Sequence, residues 1–289
     1  MQDIKKRKSI QNVMEITIIL VFCALAVVLD FVDIIYLKNE LQNAMLAKII
    51  QQCCGVIAAV VLMRRFNIRL FERPQGWLYL IPCLIIAIDN FQFSAYFNGH
   101  MKLLHKSIWD FVLLAAYCFA IGLFEECIFR GVIFSVIAGI FPSNKKGFLL
   151  TFVLSSLIFG VAHFLNGFSF GTLQQVGYTI LTGGLFAFCL IKTKNIFCCG
   201  AIHGIYNFCG ILFERFDPET GVIGLGSGVI FDTGTIITML VVSILVGLFV
   251  VFKTVTYKEE ERKDLYAKLG VKPKKAKTQT NSGDDITNE

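Results

Sequence analysis

The chain has 289 residues, 55% of them hydrophobic and 17% charged, with 28 Phe against 5 Pro, a net charge of +6 and a mean hydropathy of +0.67. A soluble domain carries about 25% charged residues, and this chain has too few polar side chains to cover a wet surface of its size. A water-soluble globule is excluded, and the expected class is an all-α membrane protein with about eight transmembrane helices. The ten cysteines fall in apolar stretches without CxxC spacing, so they read as reduced packing thiols.

A spanning helix needs about 20 mostly apolar residues. A basic N-terminus, 1–12, carries Lys5, Lys6, Arg7 and Lys8 and resembles the charged start of a signal peptide. The apolar run that follows, about 13–37, is too long for one and lacks a small-residue cleavage site, so it is expected to stay as an anchor. Further runs lie at about 44–63, 77–97, 108–141, 147–165, 172–191, 196–213 and 235–253. A helix over the fourth would be about 51 Å long against a hydrocarbon layer of about 30 Å, so it must tilt, protrude or break. The helical membrane domain therefore covers 13–253, with its motif-bearing core at about 108–213. Beyond it the composition turns to Lys, Glu, Thr, Ser and Asn, a solvated, charged and largely disordered tail over 254–289. Its first part, TYKEEERKDLYAKL, predicts a short helix supported by pairs such as Glu259 with Lys263.

With the N-terminus inside, the cytoplasmic segments of this arrangement hold 21 Lys and Arg and the outer loops 4, namely Lys38, Lys102, Lys106 and Arg215. The positive-inside rule thus places both termini in the cytoplasm. The net positive charge is accounted for by topology and attraction to the inner leaflet, with no nucleic-acid partner.

Chemistry is sought where ionisable groups sit inside apolar runs, because each costs at least about 2.5 kcal/mol to insert. The text FEECIFR places Glu126 and Arg130 one helical turn apart in the favourable order for a pair, which leaves Glu125 to face something else. FGVAH carries His163 one turn after Phe159, and HGIYN carries His203 one turn before Asn207. Pro142, Ser143 and Asn144 form a natural turn, and residues 125 and 163 lie equally far from Asn144 on either side. Two antiparallel helices turning there bring Glu125 and His163 level, where they can share a water. His203 and Asn207 can donate to a developing oxyanion. Singly, each His reads more readily as a packed core residue, and the acid pair with Arg130 as a structural ion network; all three motifs together point to a functional site. A weaker group, Asp30, Asp33, Asp89, Asn90 and Gln92, either lines a water-filled access path or packs between helices. His100 and His105 fall in an outer loop and read as solvated.

The texts EECIFR, FGVAH and HGIYN resemble, in order and on separate helices, the E-E-x-x-x-R, F-x-x-x-H and H-x-x-x-N signatures of the CPBP family, which takes in type II CAAX prenyl endopeptidases and bacterial Abi and bacteriocin-processing proteins. The resemblance covers about residues 108–213. It implies an intramembrane glutamic endopeptidase in which Glu125 activates water, His163 assists, His203 and Asn207 stabilise the oxyanion, and Glu126 is paired with Arg130. It implies no cofactor, with zinc on Glu125, His163 and His203 as the alternative; HExxH spacing is absent. The expected substrate is a peptide or membrane-associated protein in a bacterial plasma membrane, such as a bacteriocin, a peptide pheromone or a lipidated C-terminus. The competing reading is a non-proteolytic immunity or scaffold protein of the same fold. A transporter ranks third, for want of a repeated pair of interrupted helices.

Overall fold

The computed structural model describes residues 14, 17, 21, 24, 25, 40–99, 102–103, 107–216, 223–225 and 233–271. Most of the first apolar run, with Asp30 and Asp33, as well as His100, His105 and the tail beyond 271, lies outside the described residues. The helices are α1 (Glu40–Arg65), α2 (Leu80–Asp89, entered by a 3₁₀ turn at Trp77–Tyr79), α3 (Phe93–Phe97), α4 (Ile108–Glu126), α5 (Phe134–Ile140), α6 (Lys145–Ala162), α7 (Phe170–Thr193), α8 (Ile196–Ile211), α9 (Thr233–Val255) and α10 (Glu259–Lys268). Six helical stretches among the described residues are long and apolar enough to cross a membrane, against the eight expected. The expected span at 196–213 is a helix of 16 residues, short of a full crossing.

The architecture is helical with one addition. Short strands β1 (Lys102–Leu103), β2 (Phe213–Phe216) and β3 (Ile223–Leu225) form an antiparallel sheet in the order β1-β2-β3, with Lys102 opposite Glu214 and Arg215 opposite Gly224. Strands of two to four residues are too short to show a period-2 pattern, so the sequence reads there only as loops.

Polar residues at the helix starts set the boundaries. Ser107 accepts from the Asp110 N–H while Asp110 accepts from the Ser107 N–H, a reciprocal cap on α4. Asn144, Ser169 and Asn195 likewise accept from the third residue after them and start α6, α7 and α8. Two long runs are irregular. The run at 77–97 breaks after Asp89, where Gln92 sits at φ 54° and restarts the chain as α3. The overlong fourth run does not stop; α4 continues into α5 through a π-helical segment, Cys127–Ile133, immediately after the two glutamates. Such wide turns concentrate at functional sites.

α4 and α8 meet through glycine. A Cβ placed on Gly122 would lie 2.7 Å from the Gly204 nitrogen and 2.8 Å from the Gly200 oxygen, and one on Gly204 would lie 2.9 Å from the Phe119 Cα. The small-xxx-small spacing of Gly200 and Gly204 thus lets main chain press on main chain, the usual device where lipid supplies no hydrophobic drive. α6 and α7 repeat it, with Gly160 against Ile180 and Gly183 against Ser156.

The start of the tail departs from the solvated segment expected. α10 forms, with Glu259 and Lys263 paired at 2.8 Å, but Arg262, Leu265, Tyr266 and Leu269, at helical spacing, are buried. Tyr257 stacks on Phe148 at 5.1 Å and its hydroxyl donates to the Ile191 carbonyl at 2.7 Å. Lys268 pairs with Glu72 at 2.7 Å, and Lys194 pairs with Asp264. These contacts tie the tail to the basic loops at one end of the bundle. Lys268 holds the Glu72 carboxyl below the usual carboxylate range, and Lys194 does the same to Asp264. A depressed carboxyl contributes stability that is complete above its unfolded pKa and lost as pH falls through the folded value. Hydrogen exchange over 259–268, corrected for intrinsic rate, should therefore be slow at neutral pH and quicken relative to the spanning helices below about pH 4. Unchanged protection in acid would show that apolar packing alone holds α10.

Candidate active site

Where α4 passes into its π segment, Glu126 turns into the protein and is fully buried. One of its oxygens accepts from His203 Nδ1 at 2.9 Å, and the other lies 3.2 Å from Arg130 Nε. A carboxylate only accepts, so His203 donates from Nδ1. Its Nε2 then faces Glu125, 3.7 Å from Oε2. The expectation that Glu126 is neutralised by Arg130 is thus half of what the geometry holds: Glu126 bridges Arg130 and His203, and His203 sits between two consecutive glutamates. The close approach of α4 and α8 at Gly122, Gly200 and Gly204 sets this register.

Aromatic rings fix the rest. Arg130 lays its guanidinium over the Phe159 ring at 4.1 Å and donates from Nη2 to the Gly183 carbonyl at 2.9 Å, which anchors it to α6 and α7. Phe186 of α7 stacks on His203 with centroids 4.4 Å apart and planes at 20°. Phe159 meets the rings of both His163 and His203 edge-on, at 5.1 and 5.8 Å. At the end of α6, His163 donates from Nδ1 to the Phe159 carbonyl at 3.0 Å, since a carbonyl can only accept; in the neutral ring Nε2 is left as the acceptor.

Glu125, His163, His203 and Asn207 all line one cavity of about 500 Å³, while Glu126 and Arg130 stand behind its wall. One Glu125 oxygen is buried without a hydrogen-bond partner. The Asn207 amide has no hydrogen-bond partner among the described residues and borders the cavity. The structure therefore brings the three motifs together. Among the described residues no three His, Cys, Asp or Glu side chains are gathered as a group that would hold a metal ion. The group comprises a carboxylate and an imidazole open to a common space, a second imidazole oriented by a buried acid, and an amide donor.

Sequence reasoning missed Phe186, one of 28 Phe with nothing to distinguish it. It also missed the glycine contact, although Gly200 and Gly204 flank the histidine text. Asn90 and Gln92, left open between access path and packing, line the cavity, and the Asn90 amide donates to the Tyr206 carbonyl at 2.8 Å.

No curated protein and no solved structure matches the chain. The family model described as type II CAAX prenyl endopeptidase Rce1-like matches residues 107–209, the stretch that contains Glu125, Glu126, Arg130, His163, His203 and Asn207. By that match the motif-bearing helices, residues 107–209, are placed in the CPBP and CAAX protease family, as Rce1-like.

Proposed function

We infer that this protein is an intramembrane endopeptidase that hydrolyses peptide bonds with a water activated by Glu125. The observation that carries the reading is the arrangement of His203, its Nδ1 fixed by buried Glu126 and its Nε2 turned to Glu125 at the cavity wall. Glu125 takes the proton of the attacking water and passes it to the leaving amine, His163 assists through Nε2, and Asn207, together with His203 when both its ring nitrogens carry protons, donates to the oxygen whose charge grows in the tetrahedral transition state. Arg130 braces Glu126, and Glu126 keeps His203 in one orientation. The basic end of the bundle, with α10, faces the cytoplasm of a bacterial cell, and the substrate is a membrane-associated peptide or protein such as a bacteriocin or pheromone precursor. Trapping with a Glu125→Gln protein, followed by mass spectrometry of the peptides that accumulate, tests the assignment; no enrichment over the unmodified protein would count against it.

Asn207 separates this reading from a scaffold of the same fold. Losing one oxyanion donor lowers turnover by about 10² to 10³, so Asn207→Ala should do so with melting temperature nearly unchanged. A lower melting temperature with intact turnover per folded molecule would remove Asn207 from the site.

The reaction needs no metal in this scheme. Purified protein should retain activity after prolonged chelation and contain substoichiometric zinc. Activity lost with stoichiometric zinc and restored by adding it would make His163 and His203 ligands.

A further inference from the structure

A second cavity, of about 340 Å³, adjoins the first and shares Tyr178, Thr182, Tyr206 and Met239 with it. It lies between α2, α6, α7 and α9 and is walled mainly by apolar side chains. Its rim faces the surroundings through Leu181, Val251 and Val153, exposed by 69, 58 and 50%, so in a bilayer this crevice opens sideways into hydrocarbon. One carboxylate, Asp89, interrupts the apolar wall. It stands at the point where α2 unwinds, is half-buried, and has no side-chain hydrogen bond or ion pair among the described residues. No Lys or Arg is among the residues that line either cavity.

A carboxylate at this depth is expensive unless it meets water or a cation. Unwound backbone inside a membrane is likewise tolerated only beside a cavity or within protein. An apolar slot that opens to lipid, joins the space bordered by Glu125 and carries one unmatched negative charge is complementary to one kind of guest. We propose that the crevice is a lateral substrate subsite for a membrane-embedded apolar peptide segment, in which Asp89 pairs with a Lys or Arg of that segment. The proposal rests on the endopeptidase reading for the fate of the bound segment, but not for its binding. Asp89 is a specificity determinant here, remote from the bond being cut.

The test uses synthetic apolar peptides of about twenty residues, each carrying a single Lys, Gln or Glu scanned along its length, offered to the full chain in detergent micelles. Cleavage is followed by mass spectrometry, and binding is measured in parallel on the Glu125→Gln protein. Wild-type protein should cleave its best Lys peptides with kcat/KM about tenfold or more above the matching Gln peptides, the scale of a half-buried charge pair, and the Glu peptides least well. Asp89→Asn should level the three series without slowing the Gln peptides, Asp89→Glu should keep the preference, and Asp89→Lys should turn it toward Glu. A melting curve on each variant confirms that it is folded.

Cleavage with no charge preference overturns the subsite and leaves the endopeptidase standing. Charge-selective binding that Asp89→Asn abolishes, with no peptide cut, keeps the subsite and removes the endopeptidase. Neither selective binding nor cleavage overturns both.

Discussion

Glu125→Gln should abolish cleavage while leaving the protein folded. The amide keeps the shape of the carboxylate and its place 3.7 Å from His203 Nε2, but it cannot take a proton from water, and loss of a general base lowers turnover by about 10² to 10⁴. The fold has little to lose, because one oxygen of Glu125 has no hydrogen-bond partner and the side chain opens on the cavity rather than bracing two helices. The readout is turnover on any peptide the wild type cuts, beside a melting curve in the same detergent. Activity equal to wild type would end the assignment of Glu125 as base.

Glu126→Gln should have the opposite balance, with its largest effect on stability. Glu126 is fully buried and Arg130 is 1% exposed, so the substitution strands a guanidinium in an apolar setting. Breaking such a pair from one side destabilises by about 3 to 5 kcal/mol, whereas replacing both members with apolar side chains is often neutral. The double replacement Glu126→Leu with Arg130→Met should therefore recover most of the melting temperature lost in Glu126→Gln. It should not recover turnover, since His203 Nδ1 then has no carboxylate to orient it. Recovery of both would mean that Glu126 is only half of an ion pair. A single variant as stable as wild type would mean that Arg130 is held by Phe159 and the Gly183 carbonyl alone.

The motif residues were legible because charge inside an apolar run has few explanations. FEECIFR, FGVAH and HGIYN each put a costly group where lipid or packed protein is expected, and the family match over 107–209 contains all three. What one dimension could not show was how the groups divide among themselves. Helical spacing gives Glu126 to Arg130, and only the approach of α4 to α8 reveals that His203 shares it. The break after Asp89 was hidden by the apolar run on either side, since a left-handed Gln92 has no composition signature. α10 was read as solvated because its acidic and basic residues outnumber its apolar ones, yet Leu265, Tyr266 and Leu269 lie on one helical stripe and decide its packing.

The glycine contacts also set the two sides of the cavity apart. Where backbone abuts backbone, as at Gly122 against Gly200 and Gly204, there is no flexible side chain to yield, and α4 and α8 are locked in register. α9 has no such lock: among its 23 residues only Thr235, Val246, Val250 and Thr254 are buried. Yet its Met239 borders both the cavity that Glu125 lines and the lateral crevice. α9 is thus the least enclosed of the spanning helices and the wall through which the lateral crevice and the cavity bordered by Glu125 communicate.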